Sequence, residues 1–383
     1  MSYPRLYAII VELLASPLSE EHVRLVSSII LLSHCLGWPW QDTMLQPLFR
    51  TRPFALPART WRTFASMTSQ KPIRIGYVPE HYLIPLHLAK PQFPDPVELI
   101  PFPSGTGHMI TSLRSDEIDL AIGLTEGWVA GLMNAQGQKE KGYSIVGSWV
   151  RNPLRWAIVT GRNRDEINDV EDLQQHRRVG VSRMGSGSHV MAFVLADQKG
   201  WLRQGKDSKS GHLVINPLGP FKDLRDGVTG AGGQGATADF FMWEHFTTKP
   251  YFDGDKAPLK HIGEIYTPWP SWHIAASTKT FPVPATDSKL SKLFECLDKG
   301  VSDFKKDPQV AIKRLVQGEF GCQYSEEDAN EWLVSAEFFE KTKGVNADTM
   351  DRVIETLKAA GVIEPTAEVT DRSGVVGIAR DDS

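Results

Sequence analysis

The feature that most constrains the fold is a pattern that runs twice through the chain: a short β-branched run, a turn or Gly/Ser loop, then a helix-like stretch. Residues 73–78 (IRIGYV) read as a strand that Pro79 ends, and residues 82–89 as a short helix before Pro91. Residues 97–102 are a second strand, closed by Pro103-Ser104-Gly105-Thr106-Gly107; a helix follows to about Leu113, and residues 118–124 (IDLAIGL) are a third strand. After about residue 154 the pattern returns. Residues 178–182 are a strand and Met184-Gly185-Ser186-Gly187-Ser188 the loop. The helix through Val190, Phe193 and Val194 closes at Gly200, a residue type that takes the left-handed cap without strain. A strand at 213–217, a helix at 221–228 and a strand at 238–242, ending in Trp243-Glu244, complete the second half. A parallel neighbour is reached only through a crossover, so strands alternating with helices predict a parallel α/β sheet. Two such halves predict a two-lobed α/β fold with a ligand cleft between the lobes, beyond the carboxyl ends of the strands.

The last third is helical. Leu290, Leu293, Phe294, Leu297, Val301 and Phe304 recur at the spacing of one buried helix face. Ser325 with Asp328 opens another helix carrying Trp332, Leu333, Ala336 and Phe339, and a third holds Met350, Val353, Ile354 and Leu357 and stops at Gly361. These helices are expected to clasp the first lobe, with residues beyond about 366 frayed.

Composition narrows the function. The 383 residues are 41% hydrophobic and 23% charged, as in a soluble protein of about two domains. A formal charge of -4 argues against nucleic acid as a partner, because neutralising phosphates takes a concentrated basic surface. Cys35, Cys296 and Cys322 are odd in number and widely spaced, which is no disulfide framework. No apolar run reaches the length of a membrane span, so no membrane insertion is expected. The apolar run at 6–14 lacks a basic start and a small-residue cleavage site, and Cys35 lacks the context of a lipoprotein anchor. Between Met44 and Gln70 the chain carries Arg50, Arg52, Arg59 and Arg62 and no acid. Two readings stay open there: a transit peptide over 44–66, terminal if translation starts at Met44, or a basic, proline-broken linker. Residues 1–70 are in either case an extension outside the core.

Candidate ligand contacts follow from the strand ends. Ser104, Gly105, Thr106 and Gly107 offer hydroxyls and unhindered amides at a helix start, where free N–H groups and the helix dipole attract an anion. Gly185, Ser186, Gly187 and Ser188 repeat this in the second half, with His189 adjacent. The plain alternative for each loop is a helix cap. Thr125 and Glu126 follow the third strand and Glu244 ends another; such acids accept from an amine or ring N–H, or are simply solvated. Tyr82, Trp128, Trp156, Trp243, Trp269 and Trp272 lie in or beside these segments and would stack on a planar ring if they faced the cleft, core packing being the ordinary reading of each. Arg151, Arg155 and Arg183 can pair an acid bidentately, and otherwise read as surface arginines.

No local enzyme signature is present. Gly230 and Gly235 have phosphate-loop spacing, but Ala236 stands where lysine is required. There is no G-x-S-x-G elbow, no H-E-x-x-H and no cysteine–histidine cluster, so neither a metal nor a cofactor is expected.

In order along the chain, IRIGYVPEHYLIPLHLA, SGTG, IDLAIGLTEG, DVEDLQQHRRVGVSRMGSGSH and ADFFMWEHF resemble a type 2 periplasmic-binding-protein fold. The nearest branch is the nitrate/sulfonate/taurine group of transporter substrate-binding proteins. The resemblance implies a chain that crosses between lobes twice: lobe one from 71–153 plus 267–360, lobe two from 154–266, and a tail over 361–383. It also implies a transporter partner, which a chain without an export signal fits poorly. The expectation is a non-exported member, mitochondrial if a presequence beginning at Met44 is cleaved and cytoplasmic otherwise. Fungal thiamine-pyrimidine synthases share the fold inside the cell, but their cysteine-rich cluster has no counterpart here. The expected function is a small-molecule binding protein closing on a small anionic organic ligand, a sulfonate, carboxylate or pyrimidine-like compound. The competing expectations are an enzyme on the same fold, a lyase or pyrimidine-precursor type using Glu126, Glu244 or His189, and a scaffold using the Trp-rich face. Oligomeric state leaves no trace in the sequence.

Overall fold

The structure, a computed structural model, describes residues 71–135, 141–201, 213–231, 233, 235–319, 324–364 and 374–380. The readings made on residues 1–70 lie outside them. In chain order the elements are β1 (Ile73–Tyr77), α1 (Ile84–Ala89), β2 (Val97–Pro101), α2 (Thr106–Arg114), β3 (Leu120–Leu124), α3 (Thr125–Met133) and β4 (Tyr143–Val150). Then come β5 (Arg155–Gly161), β6 (Arg178–Val181), α4 (Gly187–Gln198), β7 (Val214–Pro217), α5 (Phe221–Thr229), β8 (Phe240–Glu244), α6 (His245–Thr248) and β9 (Leu259–Tyr266). The remainder is β10 (Trp272–Ser277), α7 (Ser288–Lys306), α8 (Pro308–Val316), α9 (Glu326–Ser335), β11 (Val345–Asn346), α10 (Ala347–Ala359) and β12 (Ala379–Arg380).

Two five-stranded sheets result, with orders β2-β1-β3-β10-β4 and β7-β6-β8-β5-β9. In each, four strands run in one direction and a single strand, β10 in the first and β5 in the second, runs against them. The expected parallel α/β sheet is thus interrupted by one antiparallel strand in each half. The chain leaves the first sheet between β4 and β5 and returns between β9 and β10, and the strands flanking these crossings run against their neighbours.

A shared device starts both sheets. Asp119 accepts from the Arg74 amide at 2.9 Å and from its Nε and Nη2, each at 2.9 Å, while Arg74 Nη1 reaches the Asp116 carbonyl at 2.5 Å. In the second sheet Asp239 accepts from the Arg178 amide at 2.9 Å, Nε at 3.2 Å and Nη2 at 2.6 Å, and Arg178 Nη1 reaches the Ala236 carbonyl. Each aspartate sits just before one parallel strand and grips the arginine of the next. Because Asp239 is used this way, β8 begins at Phe240, and Trp243 and Glu244 belong to the strand itself, opposite Ala157 and Trp156.

Helices α7 and α9 open on side-chain caps, the latter at the predicted Ser325. Asp287 accepts from the Leu290 amide at 2.8 Å to start α7, and Ser325 from that of Asp328 at 3.0 Å to start α9. The apolar face of α7 is buried against α1. Helix α9 stops at Ser335, short of the expected Phe339, because Phe338 forms a bridge to Val150 of the sheet edge. The tail is not frayed where it is described: the Ile145 amide donates to the Val375 carbonyl at 2.9 Å and that of Gly377 to the Ile145 carbonyl at 2.8 Å, with Val375 and Ile378 buried. Among the described residues no helix is long and apolar enough to cross a membrane.

Candidate functional site: a cavity at the strand ends of both sheets

Both Gly/Ser loops line one cavity of about 590 Å³. Gly105 takes φ +75°, a left-handed conformation that a side chain would strain, and starts α2 without a side-chain cap. The Thr106 hydroxyl accepts from the Leu124 amide at 2.9 Å, tying the loop to β3. The amides of Thr106 and Gly107 therefore donate to no described residue. On the other loop the serines are occupied. Ser186 Oγ donates to the Arg183 carbonyl at 2.7 Å and caps α4 through the His189 amide at 3.4 Å, and Ser188 Oγ accepts from the Ser182 amide at 3.1 Å. His189 Nδ1 accepts from the Gly185 amide at 3.0 Å. What this loop presents as free donors is the amides of Gly187 and Ser188, not its hydroxyls.

Arg183 reaches from one loop to the other. A Cβ built on Gly107 would lie 2.6 Å from its Nε, so the guanidinium packs on a bare α-carbon. It pairs with no carboxylate among the described residues, and partial burial holds its pKa below the ordinary arginine value.

Carboxyls cluster at the ends of β1, β3 and β8. Glu244 is 4% exposed; its Oε2 accepts from the Thr247 amide at 2.6 Å and its Oε1 lies 3.7 Å from His81 Nε2. Burial pushes Glu244 up to about 7, while it lowers His81 to about 3 and so keeps that ring neutral. Burial, then the neighbouring Glu244, push Glu80 up to about 8. Burial also pushes Glu126 up to about 7; its Oε2 accepts from Trp269 Nε1 at 3.1 Å and its Oε1 has no partner. A group whose folded pKa is raised above its unfolded value near 4.5 binds a proton that the unfolded chain has lost. The stability of the ligand-free protein is therefore expected to decline as pH rises from about 4.5 to about 7. Glu126→Gln should flatten that decline in urea titrations across this range, and an unchanged slope would refute the assignment.

Of the sequence candidates, Ser104, Gly105, Thr106, Gly107, Trp156, Ser186, Gly187, Ser188, Trp243, Glu244 and Trp272 line the cavity. Four do not and are corrected. Tyr82 is 2% exposed, packed among His81, Trp272 and Trp332. Thr125 donates to the Pro270 carbonyl at 2.6 Å and meets His273 Nδ1 at 2.8 Å, anchoring the return crossing. Gly185 supplies the left-handed turn (φ +75°) behind the loop. Glu126 stands behind Gly187, where a Cβ would meet its Oε1 at 2.7 Å. Trp128 is likewise core, donating to the His273 carbonyl at 3.1 Å. Arg155 binds Glu264 and Glu331, each at 2.7 Å. Sequence reasoning missed Glu80, and for Arg183 it left open a ligand contact and a plain surface arginine; Arg183 lines the cavity. The strand-end rule that selected Glu126 and Glu244 would have found Glu80 had it been applied to β1.

Outside the cavity, His245, His261 and Glu264 bring ligand atoms within 4.8 Å of one another. A bulge at Ile262, between the pairs Ile158–Gly263 and Val159–His261, turns His261 and Glu264 to one face. Glu264 is already held by Arg155 at 2.7 Å and Tyr266 at 3.0 Å, and that guanidinium opposes a dication there.

Comparisons with known proteins agree with this fold. The family model described as Ca3427-like PBP matches residues 156–265. The chain is 32% identical to the Candida albicans CA3427 gene product, whose structure defines a family with the generic periplasmic-binding-protein fold; the match covers 82% of this chain and 98% of that one at a TM-score of 0.68. The alkanesulfonate-binding protein SsuA of Xanthomonas axonopodis pv. citri, bound to MOPS, is 14% identical over 76% of this chain and 93% of its own, at a TM-score of 0.59. The aliphatic sulphonate binding protein SsuA of Escherichia coli is 15% identical over 80% and 92%, also at 0.59. At those identities the two sulfonate binders share the fold alone. No curated protein matches.

Proposed function

The chain belongs to the Ca3427-like family of the periplasmic-binding-protein fold, and from that membership we propose that its lobes close on a small organic anion. Small-molecule binding is the expectation of the fold. The anionic class is supported chiefly by one observation, the unpaired Arg183 guanidinium lying against Gly107 beside two sets of free amides. A sulfonate, carboxylate or phosphonate held there gains charge-assisted hydrogen bonds and the favourable end of two helix dipoles. Closure follows because the ligand contacts both loops only when they face each other.

A matching ligand at a hundredfold excess over its Kd is expected to stabilise the protein by about 2.7 kcal/mol. Arg183→Ala should weaken binding by roughly 10–100-fold, the worth of hydrogen bonds to a charged group, while leaving the melting temperature of the ligand-free protein unchanged. Calorimetric titration of protein stripped of ligand checks both. No binding by any organic acid, or equal binding by the variant, removes the proposal.

A second reading, an enzyme on this fold, is favoured by the Glu80–Glu244 pair, since carboxyls titrating near neutrality suit acid–base work. Mass spectrometry of a bound ligand after incubation separates the two: an altered ligand means turnover, an unaltered one carriage.

A further inference from the structure

Resting on that reading of the cavity, we infer that its ligand is amphoteric, with an acid group held at Arg183 and the loop amides and a protonated amine or ring N–H held between Glu80 and Glu244. The wall of the cavity carries groups that an anion by itself leaves unused. Arg183 is the only lysine or arginine among the described lining residues, against two glutamates. Arg183 pairs with neither of them. An acid alone would satisfy the guanidinium and leave the two lining carboxyls without a ligand partner.

Near neutral pH a bound proton, rather than any cation of the protein, neutralises those carboxyls in good part. The basic group nearest Glu244 is His81 at 3.7 Å, and burial keeps that ring uncharged. Arg155 acts on Glu244 only at range and is committed to Glu264 and Glu331. Glu80 forms no ion pair among the described residues, and the charged group that acts on it is Glu244 itself. A cationic or N–H-donating group beside them takes the place of those protons and gains charge-assisted contacts with the carboxylates.

The indoles give an independent pointer. Trp156 is 3% exposed and Trp272 1%, both line the cavity, and neither indole N–H has a partner. A buried donor without an acceptor is costly in an unliganded protein and is satisfied when a ligand supplies one. Trp156 is the cross-strand partner of Glu244, so ring and carboxyl project from the same face of the second sheet. An aromatic face beside a carboxyl is the setting in which an ammonium group is bound by both.

The test is calorimetric titration of the full-length, ligand-free protein with matched pairs: propane-1-sulfonate and 3-aminopropane-1-sulfonate, butanoate and 4-aminobutanoate, propylphosphonate and 3-aminopropylphosphonate. In at least one pair the amine-bearing member is expected to bind 10-fold or more tightly than its partner. In Glu80→Gln/Glu244→Gln that advantage should vanish while the amine-free acid keeps its affinity or gains. Should the double variant fail to fold, Glu80→Gln alone, at the half-buried position, is expected to cut the advantage at least threefold. Equal affinity within every pair, or an advantage that survives both variants, overturns the inference and leaves the anion reading standing. Binding by none of the six compounds overturns both. Propylamine binding as tightly as 3-aminopropane-1-sulfonate overturns the acid half.

Discussion

Asp119→Ala is expected to remove about 3–5 kcal/mol of stability, the cost of breaking a buried charge pair by deleting one partner. Asp119 is the one group that accepts from both the backbone and the side chain of Arg74, each at 2.9 Å, and from Thr280 Oγ1 at 2.8 Å. Both side chains are shielded, at 16% and 10% exposure, so little of their attraction is screened. The equivalent change in the second lobe, Asp239→Ala, should cost less, about 2–3 kcal/mol, because the Arg178 side chain is 44% exposed and water weakens its share. Burial alone would raise the Asp119 carboxyl, but the Arg74 hydrogen bonds outweigh it and hold the group below its ordinary value of 3.8. A depressed pKa contributes stability that is present above that value and is lost as pH falls through the folded pKa. This slope has the opposite sign to that of Glu126. Urea unfolding of both variants at pH 7 checks the prediction. A loss below about 1 kcal/mol for Asp119→Ala, or a larger loss in the second lobe, would refute it.

Gly300→Ala is expected to destabilise by about 2 kcal/mol, and Gly300→Val by more than about 3, through overpacking. Helix propensity by itself has the opposite sign, since alanine in a helix interior ordinarily gains about 1 kcal/mol over glycine. Gly300 lies in the middle of α7, where that helix crosses α1. A Cβ there would fall inside the contact distance of the Pro85 carbonyl oxygen and lie 2.8 Å from the Ala89 Cβ and 3.0 Å from the Ala89 amide nitrogen. These are backbone and methyl atoms with no rotamer to yield, so the helices themselves must separate. Gly107 is the contrast: there the obstruction is the end of the flexible Arg183 side chain, which can swing away. Thermal unfolding of Gly300→Ala decides the matter by sign, and a rise in melting temperature would show that α7 and α1 are free to part.

Much of the architecture was legible because strands and helices report themselves locally. The β-branched runs at β1, β3 and β6, the apolar face of α7 and the cap at Ser325 were placed from adjacent residues alone. The Gly/Ser loops could be located from spacing, but what they offer a ligand could not. Ser186 and Ser188 spend their hydroxyls on their own loop, whereas Ser104-Gly105-Thr106-Gly107 leaves its first amides free. Tyr82 looked like a cleft residue because it follows a strand end, yet a turn buries it beneath Trp332. Glu80, two residues earlier, faces the cavity instead.

The amino-acid order by itself determined the run of elements, the two loops opening α2 and α4, and acidic residues at the ends of β3 and β8, because each depends on neighbours within a few residues. Only the tertiary structure decided which groups stand unpaired. Arg183 lies against Gly107, 76 positions away along the chain. Burial raises both Glu80 and Glu244, with Glu244 adding to the rise at Glu80, and His81 stays neutral because it is buried among rings from α9 and its surroundings. Charge and protonation are set by distance and by access to water, and both are properties of the folded chain rather than of any segment of it.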